Sequence, residues 1–167
     1  MAQKQQAIIY IENENKTEAE FMSRSFVKKE VKNRAYINAL GAELASKYLA
    51  SEGIDTTETH NLHSISKILE KIDVADIMLP NIHIDVRVVF DENQIFIPKI
   101  HAKLGIEPDI YLAMKLSPDF KFVEFLGYFE PARINKNKQN SDYYFIEKEK
   151  LSSPEKLTQY IKNFTGN

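Results

Sequence analysis

The strongest structural signal in the chain is a nine-residue stretch in which apolar side chains occupy alternate positions. The apolar positions are Ile82, Ile84, Val86, Val88 and Phe90. The positions between them are His83, Asp85, Arg87 and Val89. Because successive side chains of a β-strand point to opposite faces, this alternation predicts a strand with one apolar face. It also predicts that Asp85 and Arg87 lie together on the other face.

Further strands are predicted on both sides of this one. Residues 75–79 alternate in the same way and lead into a Pro80-Asn81 turn. Later candidates are 94–98, 110–117, 121–131 and 142–148. Residues 7–12 are either a short edge strand or part of a frayed leader. Because the strands follow one another along the chain, we expect a sheet that is mostly a meander.

Helices are predicted before and after the strands. Residues 17–52 contain no proline and a single glycine, and apolar positions from Ile37 to Tyr48 recur at helical spacing. A short second helix is predicted over 64–72, and Ser153-Pro154 is a favourable start for a last helix reaching about Phe164. The order predicts an α+β domain with a central mixed sheet, a long N-terminal helix packed on it and a C-terminal helix.

Length and composition indicate a single domain over residues 1–167, in which 1–16 form either a leader or an edge strand. The chain has 43% hydrophobic residues, no cysteine and a formal net charge of −2. We therefore expect no disulfide, no thiolate chemistry and no overall basic field for nucleic acid. No signal sequence or membrane span is evident, so the prediction is a cytoplasmic protein without a membrane partner.

Two carboxylates are the main candidates for chemistry. A tight hairpin through Pro80-Asn81 would bring Asp76 close to Asp85. Two nearby carboxylates repel each other unless a proton or cation lies between them, and Mg²⁺ suits that position. Asp76 and Asp85 are thus candidate metal ligands, and Glu43, at the edge of the helical apolar stripe, is a candidate third carboxylate.

A purely structural interpretation is also open. Arg87 could neutralise Asp85 in an ionic cluster without a metal, and Glu43 could form an i,i+4 pair with Lys47. His83 shares the face of Asp85 and could be a ligand or a hydrogen-bonded side chain.

These segments resemble the nuclease superfamily with a restriction-endonuclease-like core and the motif PD-(D/E)xK. The stretch "GAELASKYLASEGI" is similar to a helix that carries a glutamate, here Glu43, and "DIMLPNIHIDVR" is similar to the hairpin that carries the two acidic positions, here Asp76 and Asp85. The stretch "PDIYLAMKLSPDFKFVEFLGYFEP" resembles the strand pair that follows the motif. The same stretches resemble a bacterial domain family of unknown function in which the motif ends in acidic-x-Arg.

The position that resembles the lysine of the motif is Arg87. Arginine remains protonated at any working pH, so it can bind an anion but cannot accept a proton. Lys99 or Lys115 could replace the lysine from neighbouring strands.

The resemblance, together with arginine at the lysine-like position, implies a catalytically degenerate domain that serves as a binding or regulatory module. The expected cofactor is either none or Mg²⁺, and the expected partner is nucleic acid or a protein. One alternative is a working Mg²⁺-dependent nuclease using Asp76, Asp85, Glu43 and Arg87. A second alternative is a structural assembly subunit.

Overall fold

The computed structural model describes residues 7–56 and 72–165, which form four α-helices and seven β-strands. The helices are α1 (Asn13–Ser23), α2 (Lys29–Ser51), α3 (Lys99–Leu104) and α4 (Leu157–Thr165). The strands are β1 (Ile8–Tyr10), β2 (Asp76–Leu79), β3 (Ile82–Val89), β4 (Ile95–Pro98), β5 (Ile110–Leu116), β6 (Phe122–Phe129) and β7 (Tyr143–Ile146). The mixed α+β composition agrees with the prediction, whereas most of the predicted 64–72 helix lies outside the described residues.

Five strands form a mixed sheet in the order β1-β6-β5-β3-β2, and β4 pairs with β7 in a separate two-stranded sheet. β3 and β5 run parallel, and the other neighbours are antiparallel. The predicted meander is therefore wrong. β4 and β7 lie outside the main sheet, and β1 pairs with the sequence-distant β6. The parallel neighbours β3 and β5 are joined by a crossover through β4 and α3. Residues 8–10 form an edge strand, one of the two alternatives for this end.

The predicted long N-terminal helix is also corrected, because the helical stretch consists of two helices of 11 and 23 residues. The hydroxyl of Ser23 donates to the carbonyl of Glu20, and the Phe26 N–H donates to the carbonyl of Ser23. Phe26 is buried against Ala35 and Val74. The hydrogen bonds of Ser23 and the burial of Phe26 end α1 and reverse the chain direction before α2. The residues of this turn contain neither proline nor glycine, so composition alone does not mark the break.

The main sheet is covered on both faces. The larger core lies between α2, α4 and the sheet face that carries Ile84 and Val86. The smaller core lies on the opposite face, where β4 and β7 cover Tyr111 and Phe129. Asp85 and Arg87 point to this second face, as the alternation predicts. Within residues 7–56 and 72–165, none of the helices combines the length and the apolar character needed to cross a bilayer.

Gly127 in β6 makes a very close backbone contact. A Cβ atom there would lie 2.3 Å from the carbonyl oxygen of Ser152, and the φ of Gly127 is 143°. Tyr128 exchanges two backbone hydrogen bonds with Ser152, of 3.0 and 2.8 Å. A side chain at 127 would therefore separate β6 from the segment that leads into α4.

We expect Gly127→Ala to lower the free energy of unfolding by about 2–4 kcal/mol, combining overpacking with an unfavourable backbone conformation. Gly53→Ala is the matched control, because Gly53 also has positive φ but a Cβ atom placed on it would meet no atom within 4 Å. Urea denaturation of both variants measures the difference. Equal losses would contradict the steric explanation.

Candidate functional site

The β2–β3 hairpin places the two predicted carboxylates directly opposite each other. Asp76 and Asp85 are cross-strand partners in the antiparallel register, so they share one face of the sheet. Their solvent-exposed fractions are 1% and 0%. Directly opposed residues have Cβ atoms roughly 5 Å apart, and two buried carboxylates at that spacing need compensating partners.

Arg87 supplies the compensating charge for Asp85. Its Nε lies 2.5 Å from Asp85 Oδ1 in an ion pair, and its Nη1 lies 3.3 Å from Asp73 Oδ1. Nη2 also donates to the Asp73 carbonyl oxygen at 3.4 Å. The other oxygen of Asp85 accepts from the Ala75 N–H at 3.0 Å. One buried guanidinium therefore bridges two carboxylates, and the protein itself engages both oxygens of Asp85.

Asp73 is not among the site residues predicted from the sequence, yet it links this cluster to the surface. Asn38 of α2 donates to Asp73 Oδ1 at 2.8 Å, and the Asp73 side chain remains 18% exposed. The hairpin register does not identify it. Extending the pairing of Asp76 with Asp85 places Val74 opposite Arg87 and Asp73 opposite Val88, so Asp73 reaches Arg87 only because the chain departs from the strand before Asp76.

His101 and Tyr111 complete the buried network. His101 Nε2 lies 2.7 Å from the Asp73 carbonyl oxygen, and Nδ1 lies 3.0 Å from the Tyr111 hydroxyl. Because a carbonyl can only accept, Nε2 carries the proton, and neutral Nδ1 accepts from Tyr111. Tyr111 is in turn the β5 neighbour of Asp85. The imidazole thus ties α3 to the segment that precedes β2.

His83 forms a second ion pair at the other end of the cluster. Its Nε2 lies 2.6 Å from Asp76 Oδ1. Asp76 Oδ2 is buried and has no hydrogen-bond partner among the described residues. The Asp76–His83 pair is separate from the Arg87 bridge, although Asp76 and Asp85 are opposed.

Glu43 does not join the cluster. Gly41 brings α2 against Val86 and Val88, on the sheet face opposite Asp85. Glu43 accepts a hydrogen bond from Asn15 of α1 at 2.7 Å, so its carboxylate is used between the two helices.

Neither candidate lysine replaces Arg87. Lys115 donates to Glu92 at 3.2 Å, and Lys99 Nζ lies 5.3 Å from the centre of the Tyr144 ring. Among the four predicted site residues, the structure groups Asp76, Asp85 and Arg87 and leaves Glu43 apart.

The electrostatics follow from burial and from Arg87. Burial raises the pKa of Asp85 above its ordinary range, and the neighbouring charge of Asp76 adds to this, although Arg87 opposes it. For Asp73, burial also acts upward, but Arg87 and the hydrogen bond from Asn38 hold its pKa below the usual value. Burial lowers the pKa of His101 to about 4, with Arg87 acting in the same direction. The cation therefore keeps Asp73 charged and His101 neutral.

The donor set does not fit Mg²⁺. Among the described residues, no group of three or more acidic or histidine side chains is arranged to hold a metal ion. Asp85 Oδ2 accepts from the Ala75 N–H and its Oδ1 is held in the ion pair with Arg87, while Asp76 Oδ2 has no hydrogen-bond partner among the described residues. Mg²⁺ usually keeps several water molecules when it binds to a protein. Asp76 and Asp85 have almost no exposed surface, so a hydrated Mg²⁺ ion would not fit beside them.

We expect Arg87→Met to lower the free energy of unfolding by about 3–5 kcal/mol, because it leaves Asp73 and Asp85 without their cation. The folded-state pKa of Asp85 then lies further above its unfolded value. Such a carboxyl favours folding below the unfolded pKa, and this contribution is lost as pH rises through the folded pKa. The destabilisation measured by urea denaturation should therefore be smaller near pH 5 than near pH 8.

The double variant Asp85→Asn/Arg87→Met is the control for this experiment. The asparagine introduced at position 85 would keep the acceptor for the Ala75 N–H while removing the unpaired charge, so part of the lost stability should return. Equal destabilisation of the single and double variants, or a larger loss near pH 5, would refute the charge-bridge explanation.

The pKa values of His83 and His101, the two described histidines, are shifted in opposite directions from the ordinary value. Burial alone lowers the pKa of His83, but the hydrogen bond and charge of Asp76 raise it above the ordinary value. Asp76→Asn should therefore lower the pKa of His83 and leave that of His101 depressed, as measured by NMR. A raised histidine pKa stabilises the fold below the unfolded pKa and loses that effect as pH rises through the folded value. Asp76→Asn should thus cost more stability near pH 5 than near pH 9.

Comparison with known proteins identifies a family. No curated protein and no solved structure matches the chain. The sequence matches the family described as "Protein of unknown function (DUF1822)" over residues 9–163, which include the whole Arg87 cluster and both sheets except Ile8 at the start of β1. The chain therefore belongs to this family of unknown function.

Proposed function

We propose that this protein is a binding module with a restriction-endonuclease-like core that does not hydrolyse phosphodiesters. The observation that carries the proposal is the closed ionic cluster around Arg87. At the position that resembles the catalytic lysine, the guanidinium is buried and bridges Asp73 and Asp85.

The arrangement of the hairpin supports the restriction-endonuclease-like part of the proposal. The two acidic positions of the resemblance, Asp76 and Asp85, are neighbours on adjacent strands. A helix that carries Glu43 precedes them, and an antiparallel strand pair, β5 and β6, follows them. The Gly127-Tyr128 pair lies at the end of β6, in keeping with the resemblance.

The loss of hydrolysis follows from the chemistry of the cluster. Arginine cannot take a proton from water at a working pH. Asp85 is completely buried, with its two oxygens against the Ala75 N–H and the Arg87 guanidinium, so its carboxylate does not face solvent water. The acidic hairpin therefore stabilises the fold rather than performing chemistry.

Binding is supported by a cleft above the cluster. This Arg87 cleft, of about 320 Å³, is lined by Asn33, Arg34, Asn38, Asp73, Arg87 and Tyr143, together with apolar side chains. Asn38 and Arg87 already donate to Asp73 within the cluster, and Asn33, Arg34 and Tyr143 place further polar groups around a wall of apolar residues. Polar groups that converge in an apolar cleft are typical of ligand sites.

The experiment is a cleavage assay on plasmid DNA, single-stranded DNA and RNA with Mg²⁺ or Mn²⁺. We expect no metal-dependent cleavage by the wild-type protein, and no increase in its melting temperature with either metal. Asp85→Ala is the control for contamination, because cleavage by a contaminating nuclease survives this substitution. Metal-dependent cleavage that Asp85→Ala abolishes would refute the proposal and favour a working nuclease.

A further inference from the structure

A second and larger cleft adjoins the Arg87 cleft. It has a volume of about 770 Å³ and lies between the corner from β4 into α3 and the loop before β7. We call it the lysine cleft; its polar lining includes Arg34, Lys99, Lys103, Asp142, Tyr143 and Tyr144. Arg34, Asp73 and Tyr143 line both clefts, so the two are continuous. The volume suits a small molecule rather than a macromolecular surface.

The walls of the lysine cleft are held together by the backbone. Pro98 and Tyr143 are register partners in the β4–β7 pair, and the Lys99 N–H donates to the Asp142 carbonyl at 2.9 Å. The Asn140 side-chain oxygen accepts from the N–H groups of Asp142 and Tyr143 at 2.9 and 2.8 Å. These bonds fix both walls before any ligand arrives, which reduces the entropic cost of binding.

The charge of the cleft favours an anion. Three cationic side chains line it, from Arg34, Lys99 and Lys103. Its two carboxylates are Asp73, which shares the Arg87 cation with Asp85, and Asp142. Counted together with the buried pair, the cations Arg34, Arg87, Lys99 and Lys103 outnumber the carboxylates Asp73, Asp85 and Asp142 by one. Ammonium groups at the edge of a preformed cleft are suited to binding phosphate oxygens.

Two tyrosines give the cleft planar apolar surfaces. Tyr143 packs edge-on against Phe96, with ring centres 5.9 Å apart, and Tyr144 lies beneath the Lys99 ammonium group. Packing therefore fixes both rings in place. A fixed tyrosine ring can stack on a heterocyclic base, and a nearby carboxylate such as Asp142 can accept hydrogen bonds from ribose hydroxyls.

We propose that the lysine cleft binds a single nucleoside phosphate. Lys99 and Lys103 hold the phosphate groups, Tyr143 stacks on the base and Asp142 accepts from the ribose. The inference rests on the proposed binding function and names its ligand class. The proposed event is binding alone, so no covalent bond is formed or broken.

The test is isothermal titration calorimetry with ADP, inorganic phosphate and a short single-stranded RNA. We expect ADP to bind, and Lys103→Gln to weaken its binding about tenfold through loss of a charged hydrogen bond. Lys103 is exposed, so this variant should fold normally. Lys156→Gln is the matched control, because Lys156 is also exposed and lies outside the cleft lining. Tyr143→Leu should weaken ADP binding by a similar factor but leave the binding of inorganic phosphate unchanged.

This inference would be overturned by no ADP binding, by equal effects of Lys103→Gln and Lys156→Gln, or by tighter binding of RNA than of ADP. Phosphate that binds as tightly as ADP would exclude a contribution from the base and would also refute it. The cleavage assay separates this failure from that of the proposed function. Metal-dependent cleavage would refute the proposed binding module without hydrolytic activity. If the protein neither cleaves nucleic acid nor binds ADP, only the proposed nucleotide site is refuted.

Discussion

The Arg87 guanidinium is the interaction on which the arrangement of the sheet's second face depends. It joins β3 to the segment before β2 by contacting Asp85 on its own strand and Asp73 at the far end of the hairpin. A buried charge without its partner costs several kcal/mol, so each of the three residues requires the others. Asn38 and His101 then attach α2 and α3 to Asp73. Four elements consequently meet around one cation.

The two faces of the main sheet differ in the polarity of their side chains. The face against α2 and α4 is almost wholly apolar, as the alternation at Ile84 and Val86 requires. The other face combines an apolar cluster under β4 and β7 with the polar residues of β3. The clefts open beside this second face, because β4 and β7 form a small separate sheet and cover only part of it. Asp73 lies at that boundary and belongs to both the buried network and the clefts.

The sequence predicts the structure correctly where a segment's conformation is determined by residues that are close to it in the chain. The alternation from 82 to 90 and the Pro80-Asn81 turn together define the hairpin, and hence the pairing of Asp76 with Asp85. Sequence patterns do not reveal the break between α1 and α2, because Phe26 is fixed by contacts that include residues distant in sequence. The β4–β7 pair and the approach of His101 to Asp73 likewise depend on contacts between distant segments. For Glu43, helical periodicity does not specify which side of the sheet the helix covers.

A lysine at position 87 would have different consequences from those of the arginine present. A lysine ammonium is a compact charge whose pKa shifts readily on burial, so it can exchange protons with water. A guanidinium remains charged and presents several donors in one plane, which suits it to bridging two carboxylates. The Arg87 guanidinium forms ion pairs with Asp85 Oδ1 and Asp73 Oδ1 and donates a hydrogen bond to the Asp73 carbonyl. The same residue joins the two carboxylates and, under the proposed function, accounts for the lack of a proton acceptor at this position.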